Sequence, residues 1–311
     1  MSMLSSAQRG AATKKRRKRQ LNTSWEHRAE VAKRAMHRRE TMEKASGQYK
    51  VAHDFAHNNR VGVNARKLIL LLGGTSAQAH QAYIGGATHD VVRKNTNLVE
   101  HEVAGSQLVQ SVLQKRAGKK GTKNVISAIA SHSRFPKANA SVVQKAVFFA
   151  DTTEKLHCYS IFRRAAFQAV KPENLEKVGE HINAQKRKLG NWDKISKQQQ
   201  AQLLDKWESE MALYFVKDRT QVMIREYGDL SKFPVAIRGK IGRQINLQKQ
   251  FLIALSAGER WAQQMSLDLY WAGKQGREVD EVIREFMPPK GSPGEKFKAE
   301  AIRFIDGKFY G

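Results

Sequence analysis

The chain has 311 residues and carries 55 Lys and Arg against 29 Asp and Glu, which gives a formal net charge of +26. A hydrophobic fraction of 41%, with five Trp and thirteen Phe, excludes a wholly disordered basic protein. The single cysteine, Cys158, excludes a disulfide framework and a cysteine-based zinc site.

No apolar run approaches the roughly 18 residues that a membrane span requires, so no membrane partner is expected. The first 22 residues lack the apolar segment of a secretory signal. These features favour an intracellular protein, in the nucleus or nucleoid or in the cytoplasm, or one inside a virion. Because residues 1–22 are basic and free of acids, a mitochondrial presequence is the alternative to a nuclear-import signal or a nucleic-acid-binding arm.

Residues 1–22 are predicted to form a flexible basic tail, and residues 23–58 a long polar helix. The tail contains six consecutive cations, Lys14, Lys15, Arg16, Arg17, Lys18 and Arg19. The helix is predicted to begin at Thr23 or Ser24, with Glu26 completing a capping box. Its apolar stripe is thin, which is typical of a helix that projects from a body or packs on a partner.

Residues 59–171 are predicted to form a basic helical region that binds nucleic acid. A turn is expected near 58–62, and Gly85 and Gly86 are expected to interrupt a helix, with Thr88 beginning the next one. Glycines at 118 and 121 predict a mobile basic loop over 115–123. From Ser141 to Val170 the apolar periodicity predicts one long central helix.

Residues 172–311 are predicted to form a C-terminal helical region. Pro172 is expected at the first turn of a helix that ends near Gly190, and Ser196 at the start of one closed by Gly228 in a left-handed conformation. Further helices are predicted at about 234–257, 259–272, 278–286 and 293–305. Since no segment alternates like a strand, the fold class is all-α, with about ten helices in a globular body.

The most unusual stretch of the sequence runs from Val103 to Ala150, which contains eight basic residues and no acid. The excess charge also lies mainly in the first half: residues 1–155 hold 28 basic and 10 acidic residues, against 27 and 19 in residues 156–311. Unbroken positive charge repels itself, so a surface of this kind is typical of contact with a polyanion. The stretch therefore predicts nucleic acid, RNA or DNA, as the partner.

The candidate nucleic-acid-binding residues share a positive charge or an exposed ring. Bases can stack on such a ring, and Phe135 is expected to be exposed. They are Lys14, Lys15, Arg16, Arg17, Lys18, Arg19, Arg93, Lys94, Lys115, Arg116, Lys119, Lys120, Lys123, Arg134, Phe135 and Lys137.

Residues 78–92 also fit a helix-turn-helix pattern, in which Gly86 makes the turn between two helices. The small Ala82 would let the helices approach each other, and the residues that would point toward the groove of DNA are Thr88, His89, Arg93 and Lys94. Gln81 stands where an apolar residue is usual, and Gly85 weakens the first helix. An ordinary helix pair broken by glycine is the competing interpretation.

No cofactor, metal site or catalytic residue is predicted. His53 and His57 lie one helical turn apart, as metal ligands can, but no third ligand is evident and solvated histidines are expected. Asp151, Glu154 and His157 could form the centre of a metal-dependent nuclease, but they diverge around their helix. Ion pairs with Lys155, Arg163 or Arg164 are the expected alternative.

The sequence thus favours a non-enzymatic nucleic-acid-binding protein of packaging or scaffolding type, such as a nucleoprotein, a viral or phage coat protein or a DNA-organising protein. It would act mainly through phosphate contacts and could self-associate into a larger assembly. The alternatives are a helix-turn-helix regulator, a nuclease centred on Asp151 and Glu154, and a structural subunit of a large ribonucleoprotein.

Overall fold

The computed structural model describes residues 55–92, 100–117 and 119–310, together with the isolated residues 30, 34, 37, 38 and 41. The described residues form an all-α fold without strands. They divide into two compact units, and the division falls between Asp151 and Thr152. None of the described helices is both long and apolar enough to cross a membrane.

From Phe55 onward, the described part of unit 1 contains four helices and most of a fifth. They are α1 (Phe55–Leu71), α2 (Ser76–Thr88), α3 (His101–Ala117), α4 (Lys119–Ala130) and α5 (Val142–Leu156), the last of which continues into unit 2. Helix α2 packs on both α1 and α4, and α3 packs on α4. Residues 146–154 of α5 are all buried, which confirms the prediction of a core helix there.

Unit 2 contains seven further helices. They are α6 (Tyr159–Gln168), α7 (Pro172–Leu189), α8 (Lys197–Tyr227), α9 (Val235–Ser256), α10 (Arg260–Lys274), α11 (Val279–Glu285) and α12 (Pro293–Ile305). Helix α6 packs on α8, α10 and α12, and its contact with α10 is close. A Cβ atom at Gly273 of α10 would lie 2.2 Å from the Ala166 carbonyl oxygen, so a larger residue there would push the two helices apart.

Several predicted helix ends are confirmed. Pro172 occupies the first turn of α7, and Gly190 follows that helix with a φ of 69°. Ser196 forms a capping box with Gln199 at the start of α8. Gly228, however, ends α8 with a φ of −79°, so its predicted left-handed conformation is wrong.

Other boundaries differ from the sequence-based expectation. The predicted turn at 58–62 is wrong, because these residues lie inside α1. The predicted helix 141–170 is two helices, since the chain leaves α5 after Leu156 and re-enters helix at Tyr159. The Tyr159 backbone N–H donates to His157 Nδ1 over 3.0 Å, and this bond stabilises the break. The boundary between units lies inside α5, earlier than the predicted one after residue 171.

The helix-turn-helix arrangement is not formed. Residues Ser76–Thr88 make one continuous helix through Gly85 and Gly86. The glycines serve packing rather than a turn, because a Cβ atom on Gly86 would lie 2.9 Å from the Cα atom of Gly62 on α1. Thr88, predicted to begin a helix, instead ends one and donates its hydroxyl to the Ile84 carbonyl.

Candidate metal centre

Six titratable side chains from five helices and their ends converge inside unit 1. His57 lies on α1, and Asp151 lies on α5. The remaining four lie at helix ends: His89 and Asp90 directly follow α2, His101 begins α3, and His132 follows α4 by two residues. We call this group the His–Asp cluster.

The close crossing of α1 and α2 positions the first members of the cluster. Only the short segment 72–75 joins the two helices, so they run antiparallel. Gly62 and Gly86 meet at the crossing without side chains, which lets the two backbones approach each other. Residues before Gly62 therefore lie opposite residues after Gly86, and this brings His57 to His89 and Asp90.

A second packing contact holds α3 and α4 against α2. Its buried apolar residues are Ile84, Val109, Leu113, Val125 and Ile129. Because His101 stands at the start of α3 and His132 just beyond α4, fixing these helices also fixes both imidazoles. The cluster thus rests on packed helices rather than on loops alone, which favours a defined geometry.

The Asp90 carboxylate lies at the centre of the cluster, and its two oxygens face different histidines. Oδ2 lies 3.1 Å from His89 Nε2 and 3.6 Å from His57 Nε2. Oδ1 lies 3.4 Å from His132 Nε2 and 4.0 Å from His101 Nε2. Asp151 Oδ1 lies 3.7 Å from Nε2 of both His57 and His89. The Asp90 carboxylate therefore lies between two pairs of imidazoles. The Asp151 carboxylate contacts the pair formed by His57 and His89.

Backbone carbonyls orient two of the imidazoles. His89 Nδ1 lies 2.7 Å from the Gly86 carbonyl oxygen, and His132 Nδ1 lies 2.8 Å from that of Ile129. Since a carbonyl only accepts hydrogen bonds, Nδ1 must carry the proton in both rings. A neutral ring then presents its Nε2 lone pair to the centre of the cluster, which is the arrangement of a metal-ligating histidine.

The cluster is strongly charged although it is buried. Burial raises the pKa of Asp90, but His89, His132 and His57 outweigh that effect and hold it well below its usual range. Burial lowers the pKa of His89, but the charges of Asp90 and Asp151 and the bond to Gly86 raise it to about 9. A protonated His89 thus supplies positive charge that the two carboxylates require, and a metal cation could supply it instead.

Two groups of side chains in the cluster have their ligand atoms within 4.8 Å of one another: His57, His89 and Asp90, and Asp90, His101 and His132. Ligands of one ion at bond lengths of about 2.1 Å lie roughly 3–4 Å apart, which matches the measured separations. A set of imidazole nitrogens and carboxylate oxygens suits Mn²⁺, Fe²⁺, Co²⁺ or Zn²⁺. His89 Nε2 is buried and makes no well-aligned hydrogen bond, so it could accept such an ion.

His101 is the one member of the cluster that is partly exposed to solvent. His57, His89 and Asp90 are at most 2% exposed. The His101 side chain is 25% exposed, and its Nδ1 lies 3.2 Å from Glu102 Oε2. A molecule could therefore reach the cluster past His101, whereas the first group of ligands is enclosed by protein.

The sequence-based interpretation of these residues needs correction. His57, interpreted as a solvated histidine, is 1% exposed and belongs to the cluster, while its predicted neighbour His53 lies outside the described residues. Of the three residues proposed for a nuclease centre, only Asp151 belongs to the cluster. Glu154 accepts from Arg163, which confirms the predicted ion pair, and the His157 ring stacks on that of Phe304 in unit 2.

Sequence reasoning missed His89, Asp90, His101 and His132. Three helix ends bring them together, and no fixed spacing along the chain predicts such an arrangement. The adjacent His89 and Asp90 were the one local signal, and the helix-turn-helix interpretation assigned His89 to DNA contact instead.

The predicted nucleic-acid-binding residues lie partly outside the described residues and partly on α3, on α4 and on the segment that follows α4. Lys14–Arg19, Arg93 and Lys94 lie outside them. Lys115 and Arg116 belong to α3, and Lys119, Lys120 and Lys123 to α4. The predicted loop over 115–123 is therefore wrong for the described residues, because the α4 stripe of Val125 and Ile129 packs on α2 and α3 and favours helix there.

The remaining predicted contacts lie on the segment between α4 and α5. Arg134 makes two hydrogen bonds to the Glu100 carboxylate, at 2.7 and 3.0 Å. Phe135 is 36% exposed, as expected, and its ring centroid lies 4.8 Å from that of Phe148. Lys137 is exposed. Comparison of the chain with protein-family models, curated proteins and solved structures found no match.

Proposed function

We propose that the His–Asp cluster binds one or two divalent metal ions, and that the protein hydrolyses phosphate esters at them. The observation that carries this proposal is the central Asp90, whose two oxygens face two different pairs of histidines. A structural ion pair needs one partner for each charge. Four imidazoles and two carboxylates around a buried centre are better explained as ligands.

The two groups of ligands share Asp90, so the arrangement suits a pair of ions bridged by its carboxylate. In sites with two metals the ions lie about 3.5–4 Å apart and stabilise both the attacking and the leaving oxygen. His57, His89 and Asp151 would complete the enclosed position. His101 and His132 would complete the position next to solvent, where a substrate can arrive.

The chemistry follows from this difference in access. A bound divalent ion lowers the pKa of a coordinated water toward 7 and so supplies hydroxide at neutral pH. Asp90 would help to hold the ions, and the hydroxide they supply would attack the phosphorus of an ester that arrives past His101, so that the P–O ester bond breaks and the alcohol leaves. The Gly86 and Ile129 carbonyls would keep His89 and His132 in the tautomer that ligates, so the site needs little reorganisation before reaction.

The class of substrate rests on charge. A phosphodiester is an anion, and a protein with a net charge of +26, concentrated in its first half, attracts polyanions. Nucleic acid is therefore the proposed substrate. Asp151 keeps the role that the nuclease alternative gave it, whereas Glu154 has no part in the site because Arg163 neutralises it.

Metal analysis and a hydrolysis assay test the proposal. Purified protein would be stripped with a chelator, reconstituted separately with Mn²⁺, Fe²⁺, Co²⁺, Zn²⁺ or Mg²⁺, and incubated with bis(p-nitrophenyl) phosphate and with labelled DNA and RNA. We expect up to two ions per chain and hydrolysis that needs them. Asp90→Asn should lose both, while Glu154→Gln should retain both. Metal-free protein that hydrolyses equally well, or an active Asp90→Asn variant, would contradict the proposal.

A second candidate function is non-enzymatic binding of nucleic acid for packaging or scaffolding, including a role in a ribonucleoprotein. The acid-free stretch 103–150 supports it, together with the exposed Lys123 on α4. This candidate predicts salt-dependent binding without cleavage under any metal. The same assay therefore separates the two functions.

A further inference from the structure

Unit 2 contains a pocket of about 400 Å³ that is separate from the residues of the His–Asp cluster. Its size falls within the range of pockets that bind small molecules. Five cations line it, and Glu300 is the only acid among its described lining residues. The cations are Lys240, Arg243, Lys296, Arg303 and Lys308.

Two helices create this concentration of charge through their periodicity. Lys240, Arg243 and Gln244 lie at steps of three and four on α9 and therefore share one face. Lys296, Glu300 and Arg303 do the same on α12. Because both faces line one pocket, their charges point into a common space rather than into open solvent on opposite sides.

The cations of the pocket are only partly neutralised by the protein. Arg303 lies 3.6 Å from Glu300, and Lys308 lies 3.4 Å from Asp306. Arg243 and Lys296 are exposed, and neither makes an ion pair with any described residue. Like charges held close together repel each other, so an unneutralised group of this kind is stabilised by a bound anion.

The rest of the pocket offers neutral groups that suit an anion of small size. Gln244 is buried, and its Oε1 accepts from the Cys158 backbone N–H, which fixes the side chain. His157 is also buried, and burial lowers its pKa to about 3, so the ring stays neutral. The ring of Phe309 is partly exposed beside these groups and offers an apolar face.

We propose that this pocket binds a small oligophosphate anion, such as the phosphate chain of a nucleotide. Arg243 and Lys296 would contact the phosphates most directly, since no acid of the described chain competes for them. The volume suits a ligand the size of a nucleotide rather than a duplex. This proposal does not depend on the metal centre, because every lining residue belongs to unit 2.

Calorimetric titration of the full chain tests this inference, with a chelator present so that metal ions at the cluster take no part. The probes are inorganic triphosphate and adenosine triphosphate. The test variant is Arg243→Gln with Lys296→Gln. The matched control is Arg225→Gln with Lys249→Gln, which removes the same charges from exposed positions of unit 2 that do not line the pocket.

We expect one tight site per chain for triphosphate, weakened about tenfold or more in the test variant and less than about twofold in the control. Equal affinity for the two probes would indicate that the phosphate chain alone is recognised. Tighter binding of adenosine triphosphate would indicate that the nucleoside also binds.

Equal weakening in both variants would overturn the proposal, because it would show only general attraction to a basic protein. A single-stranded oligonucleotide that depends on Arg243 and Lys296 when triphosphate does not would also overturn it, in favour of a nucleic-acid backbone. Helical circular dichroism confirms that each variant is folded. Both substituted pairs are exposed, so unfolding is not expected.

Discussion

Asp151 and Glu154 lie three residues apart on α5, and both are buried, but they meet different partners. In unit 1, Asp151 Oδ1 lies 3.7 Å from Nε2 of His57 and of His89. In unit 2, Glu154 is ion-paired with Arg163. A guanidinium is a permanent cation that cannot bind a metal, whereas an imidazole nitrogen is a common metal ligand.

The comparison shows that the partner, rather than the carboxylate, decides what a buried acid can do. Glu154 is neutralised by a group of the protein itself, so its charge is not available to a ligand. The charges of Asp90 and Asp151 are only partly offset by a proton on His89, which a metal ion can replace. The same distinction, between a charge that is paired within the protein and one that is free to bind a ligand, applies to the surface cations.

The largest expected effect is on metal affinity. Asp151→Asn removes one charge and one oxygen ligand, so we expect metal affinity to fall by about 100-fold or more. Glu154→Gln, three residues away, should leave it within about twofold. The measurement is a competition titration against a coloured chelator for Mn²⁺, Co²⁺ or Zn²⁺. If the two variants lose metal equally, the distinction between the two acids does not hold.

The next effect is on folding. Glu154→Gln removes the carboxylate that pairs with the buried Arg163 guanidinium, so we expect the free energy of unfolding to fall by about 3–5 kcal/mol. Urea denaturation measures this loss. Replacing both partners, as Glu154→Leu with Arg163→Met, should restore much of the stability, because no charge is then left buried. A double variant no more stable than the single one would show that the pair contributes more than mutual neutralisation.

Much of the fold follows from local sequence, but the metal centre does not. Helix ends at Pro172, Gly190 and Ser196 depend on neighbouring residues, which is why they are predictable. The glycines at 85 and 86 resemble a turn locally, and only contact with Gly62, far away in sequence, shows that they serve helix packing. The cluster depends on such long-range contacts throughout.

Metal binding should also stabilise the protein. At a free metal concentration 100 times the dissociation constant, an ion that binds only the folded state adds about 2.7 kcal/mol. We expect thermal unfolding of the chelated protein to shift upward on metal addition, and the shift to vanish in Asp90→Asn. Glu154→Gln should keep the shift although it starts from a lower melting temperature. A shift that survives in Asp90→Asn would assign the metal to another site.

The buried His157 of unit 2 should lower the stability of the protein in acid. His157 has its pKa lowered from 6.5 to about 3 by burial, so the unfolded chain binds a proton at pH 5 and the folded protein does not. Its contribution is therefore present above pH 6.5 and is lost as the pH falls toward 3. Between pH 7.5 and 5 this amounts to about 2 kcal/mol.

Urea denaturation in the presence of a chelator, at both pH values, measures this term in the metal-free protein. His157→Asn is the matched variant, because its side-chain oxygen can accept the Tyr159 N–H that His157 Nδ1 accepts. The loss of stability on acidification should be smaller in this variant. An unchanged loss would assign the acid sensitivity to other groups.

The smallest expected effect is on the binding of duplex DNA, and it compares a surface cation that is paired with an acid with one that is not. Arg134 is held by two hydrogen bonds to Glu100, whereas Lys123 is exposed on α4 and makes no ion pair with a described residue. If only unpaired cations contact phosphates, Lys123→Gln should weaken binding to duplex DNA. It should also lower the slope of log affinity against log salt concentration by about one unit. Arg134→Gln removes the same charge and should change the slope much less, because the Arg134 guanidinium is already held by Glu100 and makes no phosphate contact that could be lost. Salt titrations of both variants, with a chelator to prevent cleavage, make this measurement. Equal slopes for the two variants would mean that pairing with Glu100 does not keep Arg134 from the phosphates, and that net charge alone governs the surface.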